Sequence, residues 1–254
     1  MRPLILITND DSVEAPGIHA LADCVCHLGD VYIVAPADPN SGQSAALTVG
    51  APLRITELPD DRPSVRTFTV SGTPADCVKL ALHAIVPRKP DVMFSGINHG
   101  SNAGNCITYS GTMGAVLESC MKGIPSVGFS LLHHSMQADF SLSKEFVGKI
   151  AEAVLSGGLP EGICLNVNIP AKVVPEGVKV CRAARGSWTE EYVRYLDPIG
   201  VPFYWLTGRF VNSEPEADDT DEYWLRRRYV TIVPVSPDMS SKAHIPLLTK
   251  RFCE

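Results

Sequence analysis

None of the eight cysteines forms a C-x-x-C pair, which removes the usual framework of a zinc module or a disulfide-stapled domain. Most sit in apolar stretches such as CVCHL and ICLNV and read as buried reduced thiols; Cys106, in a polar loop, is the one candidate for reactivity. Positive charge is also short. Against 28 Asp and Glu there are 22 Lys and Arg, a net charge of -6, so no basic face is expected to hold long nucleic acid. No apolar run is long enough to span a bilayer, which argues against a membrane partner. The N-terminal MRPLILITNDD passes from a short apolar stretch straight into two acids, unlike a secretory signal, and a cytoplasmic location is expected. Neither a Gly-Lys-Ser/Thr loop nor G-x-G-x-x-G occurs, so nucleoside-triphosphate and dinucleotide binding lose their usual support. Internal repeats and low-complexity segments are absent too.

What is present is an ordinary globular composition, 45% hydrophobic and 20% charged over 254 residues. The first half alternates strand and helix signals. Leu4 to Thr8 is a short, β-branched apolar run suited to a buried parallel strand. Gly17 to Leu28 has helical spacing, and Val31 to Ala35 reads as a second buried strand. Thr73-Pro74 supplies an N-cap and a first-turn proline for a helix reaching about Ile85. Asp91 to Ser95, Ser126 to Leu131 and Ile163 to Ile169 read as strands, separated by helices over Thr112 to Lys122 and Ser143 to Leu155. Repeated β-α-β predicts an α/β protein with a mostly parallel sheet and helices on both faces. Beyond Pro170 the pattern loosens. Val178 to Arg182 and Phe203 to Leu206 look like strands, Asp219 to Arg228 like a short helix, and Tyr229 to Val235 like a last core strand. The expectation is one domain over 1–254, with about 178–208 as a β-rich arm and 237–254 as a polar tail.

Three polar clusters each follow a predicted strand, where ligands bind in sheets of this kind. In Asn9-Asp10-Asp11-Ser12, two adjacent carboxylates after a buried strand are costly unless a cation or donors compensate. Hard oxygen ligands suit Mg²⁺, Mn²⁺ or Ca²⁺. An Asp that simply caps the next helix is the competing reading, weakened because that helix starts several residues later at Pro16-Gly17. The second cluster, PADPNSGQSAALT from Pro36 to Thr48, is a long loop carrying Ser41, Gly42 and Ser44; any one serine alone reads as a solvated loop residue. The third, SGINHGSNAGNCITYSGT from Ser95 to Thr112, leads into a helix whose first N–H groups, with the Ser110 and Thr112 hydroxyls, make an anion cradle. His99 in this stretch is a lone loop histidine, more often bystander than acid or base. A metal beside an anion cradle suggests phosphoryl chemistry. Asp10 and Asp11 are adjacent rather than spaced as the D-x-D nucleophile of phospho-aspartate enzymes, which disfavours that route.

The segments ITNDDSVEAPGI, VAPADPNSGQSAALT, SGTPADCVKLAL, DVMFSGINHGSNAGNCITYSGTMGAVLE and LNVNIP resemble the SurE survival proteins, metal-dependent 5′-nucleotidases. The match runs to about Pro170, and weaker FYWLTG and YVTIVPVSPDMS segments extend it. The resemblance implies a doubly wound, Rossmann-like fold with a C-terminal arm exchanged between subunits of a homodimer or homotetramer. It implies one divalent cation per subunit, Mg²⁺ or Mn²⁺ with Ca²⁺ also able to occupy the site, held by Asp10, Asp11, Ser41 and Asn98. Its phosphate-contacting loop maps onto Asn102, Ser110, Gly111 and Thr112, with Asn9 on the substrate side orienting Asp10. Asp10 and Asp11 become the catalytic pair. Three departures stand out: Ser12 where the family usually has glycine, Asn40 where it usually has arginine, and Cys106-Ile107 where acids are common.

The function so implied is hydrolysis of nucleoside 5′-monophosphates, with 3′-monophosphates and short polyphosphate as further substrates. A non-catalytic nucleotide or phosphate sensor would use the same cradle without turnover. A metal-dependent sugar-nucleotide transferase would grip phosphates in the same way and pass the sugar to an acceptor.

Overall fold

The apolar run at the N-terminus becomes the middle of a nine-stranded sheet in the computed structural model, which describes residues 2–253. In chain order the elements are β1 (Leu4–Thr8), α1 (Pro16–Val25), β2 (Asp30–Pro36), β3 (Ile55–Leu58), β4 (Val65–Val70), α2 (Pro74–Leu80), β5 (Val92–His99), α3 (Gly111–Met121), β6 (Ser126–Leu131), α4 (Lys144–Gly157) and β7 (Cys164–Ile169). They are followed by β8 (Val178–Val180), β9 (Gly186–Thr189), β10 (Tyr192–Leu196), β11 (Pro202–Leu206), β12 (Arg209–Asn212), α5 (Asp221–Leu225), β13 (Val230–Val235) and α6 (Ile245–Phe252).

The sheet order is β3-β4-β2-β1-β5-β6-β7-β13-β8. From β4 to β7 every pairing is parallel; β3 and β13 run antiparallel to their inner neighbours. Alternation along β1 sends Ile5 and Ile7 into one apolar layer and Leu6 into the other. The first layer includes Ile18 and Leu21 of α1 with Val147 and Ile150 of α4. The second includes Cys77 and Val78 of α2 with Met113 and Val116 of α3. A sheet covered on both sides explains why β1 and β2 read as near-continuous apolar runs rather than alternating. The chain leaves β1 toward β2 on one side and later returns to place β5 on the other, so the strand order reverses between β1 and β5. The doubly wound α/β fold expected from the sequence is therefore present, and its switch point lies at the end of β1.

Capping fixes where the helices begin. Thr73 and Asp76 form a reciprocal capping box with Pro74 in the first turn of α2, and the Ser110 hydroxyl accepts the Met113 N–H at the start of α3. The structure adds β3 and β4 at one sheet edge, extends β5 to His99, and forms α6 in the polar tail. The arm also begins later than expected. Val178–Val180 pairs with β13 in the main sheet, and the excursion is the segment from Gly186 to Asn212. In it β9 pairs with β12 and β10 pairs with β11, two antiparallel ribbons carrying exposed Tyr192, Tyr204, Trp205 and Leu206.

Candidate active site at the switch in strand order

Asn9, Asp10 and Asp11 follow β1 directly, at the carboxyl end of the sheet. Asn9 and Asp10 are buried and Asp11 is half-buried. Asp10 Oδ1 accepts the Thr112 hydroxyl at 2.5 Å, which fastens the start of α3 to the end of β1. That approach requires glycine at 111: a Cβ there would stand 2.8 Å from the Asp10 Cβ and 3.0 Å from Asp10 Oδ2. Asp11 Oδ2 accepts the His99 backbone N–H at 3.0 Å, which brings the end of β5 beside it. Between Ser95 and Asn98 the β5–β6 register shifts, a bulge of the kind that re-aims a side chain. Asn98 is buried there and donates its amide to Gly100 O at 2.9 Å.

The loop after β2 closes the third side. Asn40 N–H donates to the Asp10 carbonyl at 2.7 Å, which sets Ser41 one residue from the Asp10 backbone. Further along, Ser44 N–H donates to Tyr109 O and the Ser44 hydroxyl to Thr108 O, tying the loop to the segment that precedes α3. Ser41 itself is exposed. The sequence-predicted residues Asp10, Asp11, Asn98, Gly111 and Thr112 are thus brought together, with Ser41 on a loop pinned at their edge. Ser110 lies there too, its oxygen already accepting the Met113 N–H as helix cap.

Asn102 is placed differently. Its side-chain amide donates to Ser130 Oγ at 2.8 Å, its N–H goes to Asn168 Oδ1 and its carbonyl receives Asn166 Nδ2, each at 2.8 Å. Asn166 and Asn168 are fully buried on β7 and were not read as functional from the sequence. The alternation of Asn with apolar residues in LNVNIP was their visible signal, since a polar residue on a fully covered strand needs a partner. His99 contributes its backbone to the site, while its ring is turned onto Ser135 O and packs edge-on against Phe140. Cys106 has its thiol pKa raised, chiefly by burial, which works against reactivity.

Electrostatics single out the two aspartates. Burial pushes Asp10 up to about 6, the neighbouring Asp11 charge adds to this, and the Thr112 hydroxyl opposes it. Burial raises Asp11 as well, against the His99 N–H. Among the described residues neither carboxylate has a Lys, Arg or His partner in an ion pair. Asn9 Oδ1 is buried and has no hydrogen-bond partner, although its amide is engaged by Ser12 O at 2.7 Å. Two carboxylates without an ion-pair partner beside an orphaned oxygen fit a hard divalent cation. Among the described residues no three His, Cys, Asp or Glu gather as a metal cluster, so neutral oxygens have to complete the set. Two cavities of about 350 and 310 Å³ open elsewhere, beside Arg88 and beside Cys120, and neither gathers groups suited to this chemistry.

Fold and site together define a doubly wound α/β protein whose switch point joins paired carboxylates to a helix N-terminus. The chain belongs to the SurE family: the family described as Survival protein SurE matches residues 5–190. It is similar to the 5′-nucleotidase SurE of Phocaeicola vulgatus, 46% identical over 240 residues that cover 94% of this chain and 93% of that one. The 5′-nucleotidase SurE of Christiangramia forsetii is 47% identical over 243 residues, with the same two coverages of 94% and 93%. Among solved structures, the SurE protein from Aquifex aeolicus superposes with a TM-score of 0.83 at 34% identity, covering 98% of this chain and 99% of that one.

Proposed function

We propose that this protein is a 5′-nucleotidase that hydrolyses nucleoside 5′-monophosphates to nucleoside and phosphate, using a divalent cation held by Asp10, Asp11, Ser41 and Asn98. The observation that carries the reading is the pair Asp10–Asp11, without an ion-pair partner among the described residues and set against the N-terminus of α3. The relatives' names give the reaction. When bound, Mg²⁺ or Mn²⁺ supplies Lewis-acid charge at the phosphoryl group and acidifies the attacking water. The chain's own groups do the rest. Asp10 and Asp11 provide the carboxylate that accepts the water proton, and Thr112 holds Asp10 in place through its hydroxyl. The first N–H groups of α3, at Gly111 and Thr112, face developing phosphoryl charge as fixed dipoles. Ser110 orients that helix start as its cap. Asn102, its side chain bonded to Ser130, acts by fixing the loop around the phosphate.

We assign 3′-monophosphates and short polyphosphate as further substrates, and a second copy of the chain as the partner of the exposed aromatic arm, giving a dimer or tetramer. A cytoplasmic location is in keeping with eight cysteines that stand free. Among the described residues no helix is long and apolar enough to cross a membrane.

The test is phosphate release from 5′-AMP, 5′-GMP, 3′-AMP and polyphosphate across Mg²⁺, Mn²⁺ and Ca²⁺, run beside Asp10→Asn. Metal-dependent release by the parent and none by the variant is the expected result. Nucleotide binding without release would instead make the site a sensor, and transfer to an acceptor without hydrolysis a transferase.

A further inference from the structure

Asp221 is fully buried at the first residue of α5, and it holds a loop far from it in sequence. Its Oδ2 accepts the Gly104 N–H at 2.8 Å. Its Oδ1 accepts the N–H of Ala184 and of Glu222, each at 2.8 Å. Gly104 opens the short 3-10 turn Gly104–Thr108 that runs into the Ser110 cap, and Ala184 lies two residues before β9, at the root of the arm. One carboxylate therefore spans the loop leading into the anion cradle and the base of the arm.

No cationic side chain forms an ion pair with Asp221 among the described residues, so backbone N–H groups supply its compensation. Burying a carboxylate for this purpose is costly, and a carboxylate has one property no neutral side chain shares: both oxygens accept and neither end donates. Two further contacts join the same segments independently. Asn105 Nδ2 donates to Gly186 O at 2.6 Å. Gly104, at φ +55°, lies so close to the arm root that a Cβ there would meet the Phe210 ring at 2.9 Å and Ala184 O at 3.2 Å.

We propose that Asp221 is a positioning residue that locks the Gly104–Thr108 turn to the arm root, so that the placement of the Ser110–Thr112 cradle depends on the arm. Its kinetic consequence rests on the nucleotidase reading above; its structural consequence does not. Asp221→Asn is the diagnostic substitution because it keeps the volume and splits the function. The amide oxygen satisfies Ala184 and Glu222, two donors, while the NH₂ is left facing the Gly104 N–H as donor against donor. The arm side survives and the cradle side is broken.

The experiment follows backbone amide exchange and steady-state kinetics in the full chain. In Asp221→Asn, exchange at Gly104–Thr108 rises roughly tenfold or more while the central strands β1 and β6 keep parent rates. With 5′-AMP kcat/KM falls about tenfold, carried by both KM and kcat, because the cradle binds the phosphate and its N–H groups face charge that develops in the transition state. Asn105→Ala, a surface change that cannot by itself unfold the protein, loosens the same turn by a smaller factor, about threefold. Parent exchange rates at Gly104–Thr108 in both variants overturn the proposal, as does parent kcat/KM in an Asp221→Asn protein whose turn has loosened. A parent that releases no phosphate sinks the nucleotidase reading alone, because the exchange pattern still decides the role of Asp221.

Discussion

Thr112 Oγ1 donates to Asp10 Oδ1 across 2.5 Å, and this bond between residues 102 apart joins the start of α3 to the end of β1. It is the only side-chain donor to Asp10 recorded among the described residues, and it acts on a carboxylate that burial otherwise disfavours in its charged form. Thr112→Val keeps the shape and removes the donor. We expect a folded protein whose kcat/KM for 5′-AMP falls by roughly 10- to 100-fold, the scale of losing a charge-assisted hydrogen bond in a reacting site. Parent kinetics in Thr112→Val would mean that Asp10 is oriented by its backbone alone.

Asp10 also sets a pH dependence of stability in the metal-free protein. Its folded-state pKa is raised from 3.8 to about 6, so the folded state prefers the neutral acid. The favourable contribution is full below about pH 4 and is lost as pH rises through about 6. At pH 7 the ionised, buried group costs the fold roughly 3 kcal/mol relative to an ordinary carboxylate, an order-of-magnitude figure. Asp11 is raised in the same direction. In chelator, Asp10→Asn therefore melts higher than the parent at pH 7, and the two converge near pH 4. Added Mn²⁺ stabilises the parent and leaves the variant unchanged. A variant that melts lower at pH 7 in chelator would show that protein groups already compensate the charge.

Much of this arrangement is legible in the sequence because it rests on local patterns. β1 and β6 have the bounds the apolar runs predict, and Thr73-Pro74 starts α2 as capping chemistry requires; α3 begins at Gly111, one residue before the expected Thr112, with Ser110 as its cap. The polar cluster after β1 is recognisable because acids rarely follow a fully buried strand without a purpose. What stays hidden depends on partners distant in sequence. β3 is an exposed edge strand whose ITEL carries little apolar signal, and it forms by pairing with β4. Asn166 and Asn168 show in the sequence only as polar residues within a strand, and the fold alone sets them against Asn102, 64 and 66 residues away. Asp221 reads as an ordinary helix-start acid, and only the fold shows its carboxylate on Gly104. The late start of the arm has the same origin, since VKV joins the sheet through its register with β13 rather than through its own composition.

The loop that carries Ser41 is held by close packing as well as by hydrogen bonds. Gly114 lies in α3, where alanine is the better helix former by about 1 kcal/mol, so a local view predicts that Gly114→Ala stabilises. The structure predicts the reverse: a Cβ at 114 would stand 2.3 Å from Ser44 O, a backbone atom that cannot rotate away. We expect a loss of about 1–3 kcal/mol in thermal or urea unfolding and a roughly tenfold weaker Mn²⁺ affinity as the Ser41–Ser44 loop is displaced. Gly148→Ala in α4 is the control, because nothing lies within 4 Å of its Cβ position; it should gain up to about 1 kcal/mol. Equal gains in both variants would show that the Ser44 loop yields without cost.

Ser12 occupies a backbone conformation that favours glycine, with φ of 91°. The turn is held by its carbonyl, which accepts Asn9 Nδ2 at 2.7 Å and Ala15 N–H at 3.2 Å, so the conformation is imposed by residues on either side of it. Strain of this kind costs about 1–3 kcal/mol, while glycine adds about 0.4–1 kcal/mol of unfolded-chain entropy. The strain term is the larger. Ser12→Gly should therefore stabilise the protein by about 1 kcal/mol, a rise in Tm of roughly 2–4 °C for a chain of this size. Mn²⁺ affinity and kcat should stay at parent values, because both contacts use the backbone carbonyl that glycine retains. A lower Tm would instead reveal a stabilising contact made by the Ser12 hydroxyl.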